Sequence, residues 1–505
     1  MNPGKADAGG DYAKVAHGAG LAVLGQFGAL IEPVSVVIFA RLYGPTTFGL
    51  FILVWSYVML ISMGTEFGMT SALQRFIPAQ DQTGARIILR NAIAVSLTIA
   101  LVFTGLVYAL APVLAGYLNA GELDPNKLVS LIRMYVWAIP LWTLINVLTA
   151  AIRARQVFGP EIRVRIFYEQ GLRLVAGVAF FYAGWRLEGL FAAHLFSLTI
   201  ATLLGARLIS KFYGWRAMFS ARTPKGVRLF RPLLHFASLM VIPQLARKMN
   251  SNMPLWFLNA LIPGANGVAA VGIYAVVRKV ISTLQVIHDS FEYVLAPMAS
   301  ARRGAADYTS LREIYAFATR LMYAAFLPVA SILILLRDQL LSIPGDEFRA
   351  GSTALVILAL GRWLQSATGP SNAVITMIGR YQLPALNAFA NMAVTAILLF
   401  FLVPIYGISG GAVAAAAGLG VTSLAALAEV RFLHHMQPFD RRILRPFAVS
   451  IAFSTVLGFV AVEAAKLGTV AGLSIGVAGV FVTLFVLLRV GFTADDQAAL
   501  RRIRS

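Results

Sequence analysis

The sequence predicts an all-α, polytopic membrane protein of about fourteen transmembrane helices, and three observations carry the prediction. Hydrophobic residues make up 59% of the 505 and charged residues 13%, with a mean hydropathy of +0.76, too apolar for a chain of this length dissolved in water. Apolar runs long enough to cross a hydrocarbon core of about 30 Å recur from end to end. Lysine and arginine collect in alternate loops between those runs, the asymmetry that orients a membrane protein. The formal charge of +20, from 42 Lys+Arg against 22 Asp+Glu, is therefore a cytoplasmic rim facing anionic lipid headgroups, and nucleic acid is excluded as a partner. The chain has no cysteine, which rules out disulfides and thiolate metal sites.

The expected spans lie near residues 14–40, 47–74, 87–115, 128–152, 162–184, 187–210, 231–261, 268–299, 313–336, 350–378, 381–403, 408–432, 444–464 and 469–490. The N-terminal stretch before the first run is polar for too long, and the run itself too long, for a cleaved signal peptide, so the first span is expected to be retained. With the N-terminus inside, the arginines near 75–90, 153–165, 207–231, 302–312, 431–445 and 489–504 all fall on the cytoplasmic side. Only Arg41, Lys127, Arg186, Arg337, Arg349 and Lys466 fall outside, which makes both termini cytoplasmic.

Two stretches repeat. Tyr43-Gly44-Pro45 with Phe48-Gly49-Leu50-Phe51 aligns with Pro263-Gly264 and Val271-Gly272-Ile273-Tyr274, and Trp185–Gly189 aligns with Tyr406–Gly410, each at an offset of about 222 residues. An even number of spans preserves orientation, so spans 1 to 6 and 7 to 12 read as parallel copies. The expected organisation is an N-lobe over 1–210, a basic cytoplasmic linker over 211–230, a C-lobe over 231–433, and two additional spans with a tail over 434–505.

Ionisable residues inside spans are costly and usually face protein or an aqueous cavity. Those here are Glu32, Glu66, Arg247, Lys248, Arg278, Lys279, His288, Asp289, Glu292 and Arg362. In span 8, Arg278, Ser282, Gln285, Asp289 and Glu292 share one helical stripe about 21 Å long. Span 7 places Gln244, Arg247 and Ser251 on one face between Pro243 and Pro254, a spacing that predicts a bent helix, and span 10 presents Arg362, Gln365, Ser366 and Asn372. Cations clustered in low dielectric favour a multivalent anion, and arginine offers a fork matched to phosphate oxygens. The bland alternative is internal pairing: Glu66 with a neighbouring arginine, Arg278 with Asp289 or Glu292. Lys248 and Lys279 could equally snorkel. His288 reads as a packing residue, and His434-His435 has no metal role.

The run Arg41-Leu-Tyr-Gly-Pro-Thr-Thr-Phe-Gly-Leu-Phe, the later Glu66-Phe-Gly-Met-Thr-Ser-Ala-Leu-Gln-Arg75-Phe-Ile-Pro, and Gly272-Ile-Tyr-Ala-Val-Val-Arg-Lys resemble bacterial polysaccharide-unit flippases of the multidrug/oligosaccharidyl-lipid/polysaccharide exporter superfamily. The resemblance implies two six-helix lobes alternating between inward-open and outward-open states. The implied cargo is an undecaprenyl-diphosphate-linked oligosaccharide crossing the inner membrane, with a polysaccharide polymerase as a further partner and no cofactor. Spans 13 and 14 look like the extra pair that some lipid-linked precursor flippases carry. On this reading the diphosphate contacts Arg247, Lys248, Arg278, Lys279 and Arg362, while Glu32, Glu66, Asp289 and Glu292 bind a coupling ion or gate. A cation-coupled multidrug antiporter of the same superfamily is the nearest rival, disfavoured because the basic cluster repels cationic drugs. A membrane polymerase or glycosyltransferase is disfavoured by outer loops too short to hold a catalytic centre.

Overall fold

The computed structural model describes residues 31–121, 123–157, 159–221, 230–304, 308–377 and 382–492. The start of the first expected span, with Lys5 and Lys14, lies outside them, as do Arg222, Lys225, Arg228, Arg380, Arg501, Arg502 and Arg504. Every element among the described residues is helical, as a bilayer demands of chain segments that must satisfy their own backbone. The chain divides into two compact units, Met1–Met249 and Asn250–Ser505.

The first unit opens on α1, Ile31–Thr65, which is two helices joined at Gly44, with φ 73° and ψ 169°, followed by Pro45. This kink falls in the expected turn Arg41–Pro45. Glycine accepts the left-handed φ, and proline starts the second helix where no backbone N–H is needed. A second break follows: Phe67 and Gly68 have φ 48° and 67°, and α2, Met69–Phe76, restarts the chain. A Cβ on Gly68 would lie 2.2 Å from the carbonyl oxygen of Ala237. Gly68→Ala therefore meets both a backbone and a contact penalty, together about 2 kcal/mol or more. A lowered thermal unfolding midpoint is expected in detergent, and an unchanged one contradicts this close approach.

α3, Gln82–Ala109, is capped by the Asp81 carboxylate, which accepts from the Gly84 N–H at 2.8 Å. α4 (Ala111–Tyr117), α5 (Pro125–Tyr135) and α6 (Ala138–Arg153) follow. The fifth expected span is composite: α7 (Gly159–Ile162), a π-helical stretch over Arg163–Gly171, and α8 (Leu172–Tyr182). α9 (Leu187–Tyr213) and the short α10 (Trp215–Ser220) lead to α11, Phe230–Leu261, inside which the boundary between units falls. One core of this unit packs Met69, Leu73, Leu89, Val147, Ile209 and Tyr213 with Ala72, Ala85, Ala92, Ala150 and Ala151. Small residues recur because helices in lipid associate through close backbone packing rather than hydrophobic drive.

The second unit comprises α12 (Ala265–Gly304), α13 (Tyr308–Leu335), α14 (Arg337–Ser342), α15 (Ser352–Ala367), α16 (Ser371–Met377), α17 (Gln382–His434), α18 (Leu444–Ala465) and α19 (Thr469–Val486). α17 is two helices meeting at Gly407, φ 53° and ψ −126°. α18 and α19 dock on α13 through glycines, Gly458 against Leu335 and Gly476 against Ile332. The buried Arg320 of α13 pairs with Asp440 in the connector before α18.

Nine stretches among the described residues are helices long and apolar enough to cross a membrane, and two of them, Ile31–Thr65 and Gln382–His434, hold the kinks. Three expected spans fall outside that set. α7–α8 carries Glu161, Arg163, Arg165, Glu169 and Arg173; α11 carries Arg247 and Lys248; α15–α16 carries Arg362 and is interrupted at Pro370. These least apolar spans supply many of the charged side chains described next.

Candidate functional site

In the second unit, the charged stripe of α12 meets the polar face of α15. Arg362 donates through Nη1 to Gln365 Oε1 and through Nη2 to Gln285 Oε1, each at 2.8 Å. Arg278, two turns before Gln285, donates to the carbonyl of Ser251 at 2.6 Å. Both guanidiniums are within electrostatic reach of the buried Tyr274, one turn before Arg278. Asp289 interacts with the Gln285 amide one turn away and lies within electrostatic reach of Arg362. Glu292 pairs with the buried His288 at 3.3 Å. Lys279 is half-buried, and its carbonyl accepts from Ser282 Oγ at 2.6 Å. At Arg362 the two amide oxygens orient the guanidinium without cancelling its charge, in a fork geometry suited to phosphate oxygens.

In the first unit, Glu66 sits at the break between α1 and α2, 5% exposed. Its Oε1 accepts from Asn146 Nδ2 on α6, and its carbonyl accepts from Ser96 Oγ at 3.1 Å. Arg165, Lys248 and Arg153 act on it electrostatically. Arg153 and Arg165 also pair with Glu161, the latter at 3.9 Å. Arg247, beside Lys248, is exposed on α11, and Glu32 is half-buried in the first turn of α1. The expected residues thus form two groups: Glu66 with Lys248 in one unit, and Arg278, Asp289 and Arg362 in the other.

A third group escaped the reading of the sequence. Tyr135, Glu169, Arg173 and His194 form a buried network in the first unit. The Tyr135 hydroxyl meets His194 Nδ1 at 2.6 Å, His194 Nε2 lies 3.4 Å from Glu169 Oε1, and Arg173 Nη1 lies 3.3 Å from the same oxygen. Trp55, Phe51 and Tyr135 pack around the imidazole, with the Trp55 ring edge-on at 4.4 Å. The signal was present as Glu161, Arg165, Glu169 and Arg173, alternating in sign at four-residue spacing along one line. Reading Arg165 as part of the cytoplasmic rim concealed it. Among the described residues no group of three or more His, Cys, Asp and Glu is placed to hold a metal ion.

Comparison with known proteins supplies the frame for these groups. The family described as Polysaccharide biosynthesis protein matches residues 15–301, more than half of the chain. No curated protein matches it. Among solved structures, it is similar to the lipid II flippase MurJ in its inward closed conformation, with a TM-score of 0.71 and 13% identity over 92% of this chain and 99% of that one. It is also similar to an inward-facing multidrug resistance MATE family transporter of the MOP superfamily, with a TM-score of 0.65 and 18% identity over 80% of this chain and 94% of that one. At such identities the likeness concerns the fold, which is that of multi-pass membrane transporters. The resemblance read from the first hairpin and the start of span 8 is borne out, and the chain belongs to the polysaccharide biosynthesis protein family.

Proposed function

We propose that this protein flips an undecaprenyl-diphosphate-linked oligosaccharide from the cytoplasmic to the outer leaflet of the inner membrane, by alternating access, for surface or exocellular polysaccharide synthesis. The observation that carries the reading is the pair of guanidiniums on α12 and α15, with Arg362 held by the amide oxygens of Gln285 and Gln365 and Arg278 donating to a backbone carbonyl. Such cations bind the diphosphate, the one feature common to every polyprenyl-diphosphate cargo, while the sugars occupy aqueous space and the tail stays in lipid. The family match and the flippase fold support the same class of cargo. Both termini are assigned to the cytoplasm from the lysine and arginine bias, and a polysaccharide polymerase is the expected recipient of the flipped unit. Glu66 and Asp289, one in each unit, are the carboxylates assigned to a coupling proton or sodium ion.

The test is a deletion strain. It is expected to accumulate lipid-linked oligosaccharide inside and to lose surface polysaccharide, and both defects are restored by the wild-type gene. Unchanged surface polysaccharide alongside new sensitivity to cationic drugs would instead establish the multidrug antiporter.

A further inference from the structure

In the first unit, the end of α9 and the short α10 form a cationic and aromatic patch separate from the three groups above. Phe196, Leu203, Arg207 and Lys211 of α9 are spaced by seven, four and four residues, so they share one helical face, and all four are exposed. α9 is long and apolar enough to cross a membrane, so its exposed Phe196 and Leu203 face acyl chains. Lys211 lies eight residues beyond Leu203, about 12 Å along the axis. Over that distance the face turns from apolar to cationic, as a surface does when it passes from hydrocarbon to headgroups.

α10 adds to this face and is held rigidly. Gly214, with φ 71°, ends α9 in a turn that glycine accepts. Trp215 Nε1 then donates to the Ala206 carbonyl at 3.1 Å, which folds α10 back beside the turn of α9 that carries Arg207. Met218 is fully buried in the core of the unit. Two arginines of α3 fasten the chain on either side of α10: Arg86 Nε donates to the Tyr213 carbonyl at 2.7 Å, and Arg90 Nη1 to the Ala221 carbonyl at 2.8 Å. Arg155 lies 4.1 Å over the Tyr213 ring. These partners are neutral, so they fix the helix without cancelling any positive charge.

The opposite side of α10 presents Arg216 and Phe219, the latter 65% exposed and stacked on Trp215. A segment with one face pinned in protein, an aromatic ring outward and cations around it is built to lie at a membrane interface. Residues 81–90 and 206–221 hold five cations, Arg86, Arg90, Arg207, Lys211 and Arg216, against a single carboxylate. That carboxylate, Asp81, is committed to capping α3.

We propose that the end of α9 and α10 form a binding site for the headgroup of an anionic phospholipid. Arg207, Lys211 and Arg216 take the phosphate charge, while Leu203 and Phe219 meet the acyl chains. A zwitterionic lipid carries its own cation beside the phosphate and gains less from such a site. The site stands apart from the diphosphate reading of Arg362.

The test titrates the full-length protein in detergent with phosphatidylglycerol or phosphatidylcholine and counts bound lipid by native mass spectrometry. Wild type is expected to bind phosphatidylglycerol at least tenfold more tightly at its strongest site, and equal affinity for the two lipids overturns the proposal. Replacing Arg207, Lys211 and Arg216 together by glutamine is expected to weaken phosphatidylglycerol by about a hundredfold, at roughly fivefold per cation near a membrane surface, and to leave phosphatidylcholine unchanged. The three side chains are exposed, so the thermal unfolding midpoint in lipid-free detergent is expected to stay at the wild-type value. A matched triple, with Arg431, Arg442 and Arg445 replaced by glutamine, removes the same charge elsewhere and is expected to keep the strongest site near wild type. Equal weakening by the two triples, or none by the first, overturns the site and leaves only a diffuse basic rim.

Discussion

Arg362→Ala is expected to reduce affinity for a polyprenyl diphosphate by about a hundredfold or more, and Arg278→Ala by at least tenfold, with little loss of folded protein. A charge-assisted hydrogen bond contributes about 1.5–3 kcal/mol, and a guanidinium fork makes two to one phosphate. Arg362 is expected to dominate because its two amide partners leave its charge uncancelled and its plane already oriented. Folding is expected to suffer little, because truncation strands only two neutral amide oxygens on half-buried residues. Arg362→Lys is expected to recover little binding, since an ammonium cannot reproduce the planar fork. Isothermal titration with farnesyl diphosphate checks the affinities, and thermal unfolding of the same samples separates binding from stability.

The largest stability effect is expected at Glu169. It is 3% exposed, and its Oε1 faces both Arg173 and the fully buried His194 inside an aromatic cage. Removing one member of a buried ion pair costs about 3–5 kcal/mol, because the partner charge is left without compensation. Glu169→Ala should therefore lower the unfolding midpoint sharply or prevent accumulation in the membrane. Removing both charges in Glu169→Leu with Arg173→Met should recover much of that loss, since well-packed apolar replacements of buried pairs are often neutral. A double-mutant cycle on the thermal midpoints measures this, and additive losses contradict direct coupling of the pair.

What the sequence disclosed, and what it withheld, follows from the physics of each signal. Run length and composition reveal helices because a bilayer imposes a minimum apolar length. Glu66 was visible for the same reason, as a carboxylate inside an apolar run. Its partner Asn146 was not, because it lies 80 residues away and periodicity says which residues share a face, never which faces meet. The contact between Gln285 and Arg362, 77 residues apart, was hidden in the same way, although each residue had been placed on a polar face. The Glu161-to-Arg173 ladder was legible as a pattern. It was read as solvated rim because arginines near a span end ordinarily mark topology, whereas here a π-helical stretch brings Glu169 and Arg173 together with His194. Gly44 and Gly407 mark the kinks between the first and second and between the eleventh and twelfth expected spans, and glycine beside an apolar run was the clue to both.

On the proposed function, the chain moves a polyprenyl-diphosphate-linked oligosaccharide across the bilayer and Arg362 holds its diphosphate. The most direct measurement reconstitutes the purified protein into liposomes carrying such a lipid in both leaflets, then follows how much of it a membrane-impermeant reagent can modify from outside. Wild type is expected to make nearly the whole pool accessible, while Arg362→Ala leaves the inner-leaflet pool protected. A wild-type protein that leaves that pool protected, or an Arg362→Ala variant that exposes it as fast as wild type, contradicts the account.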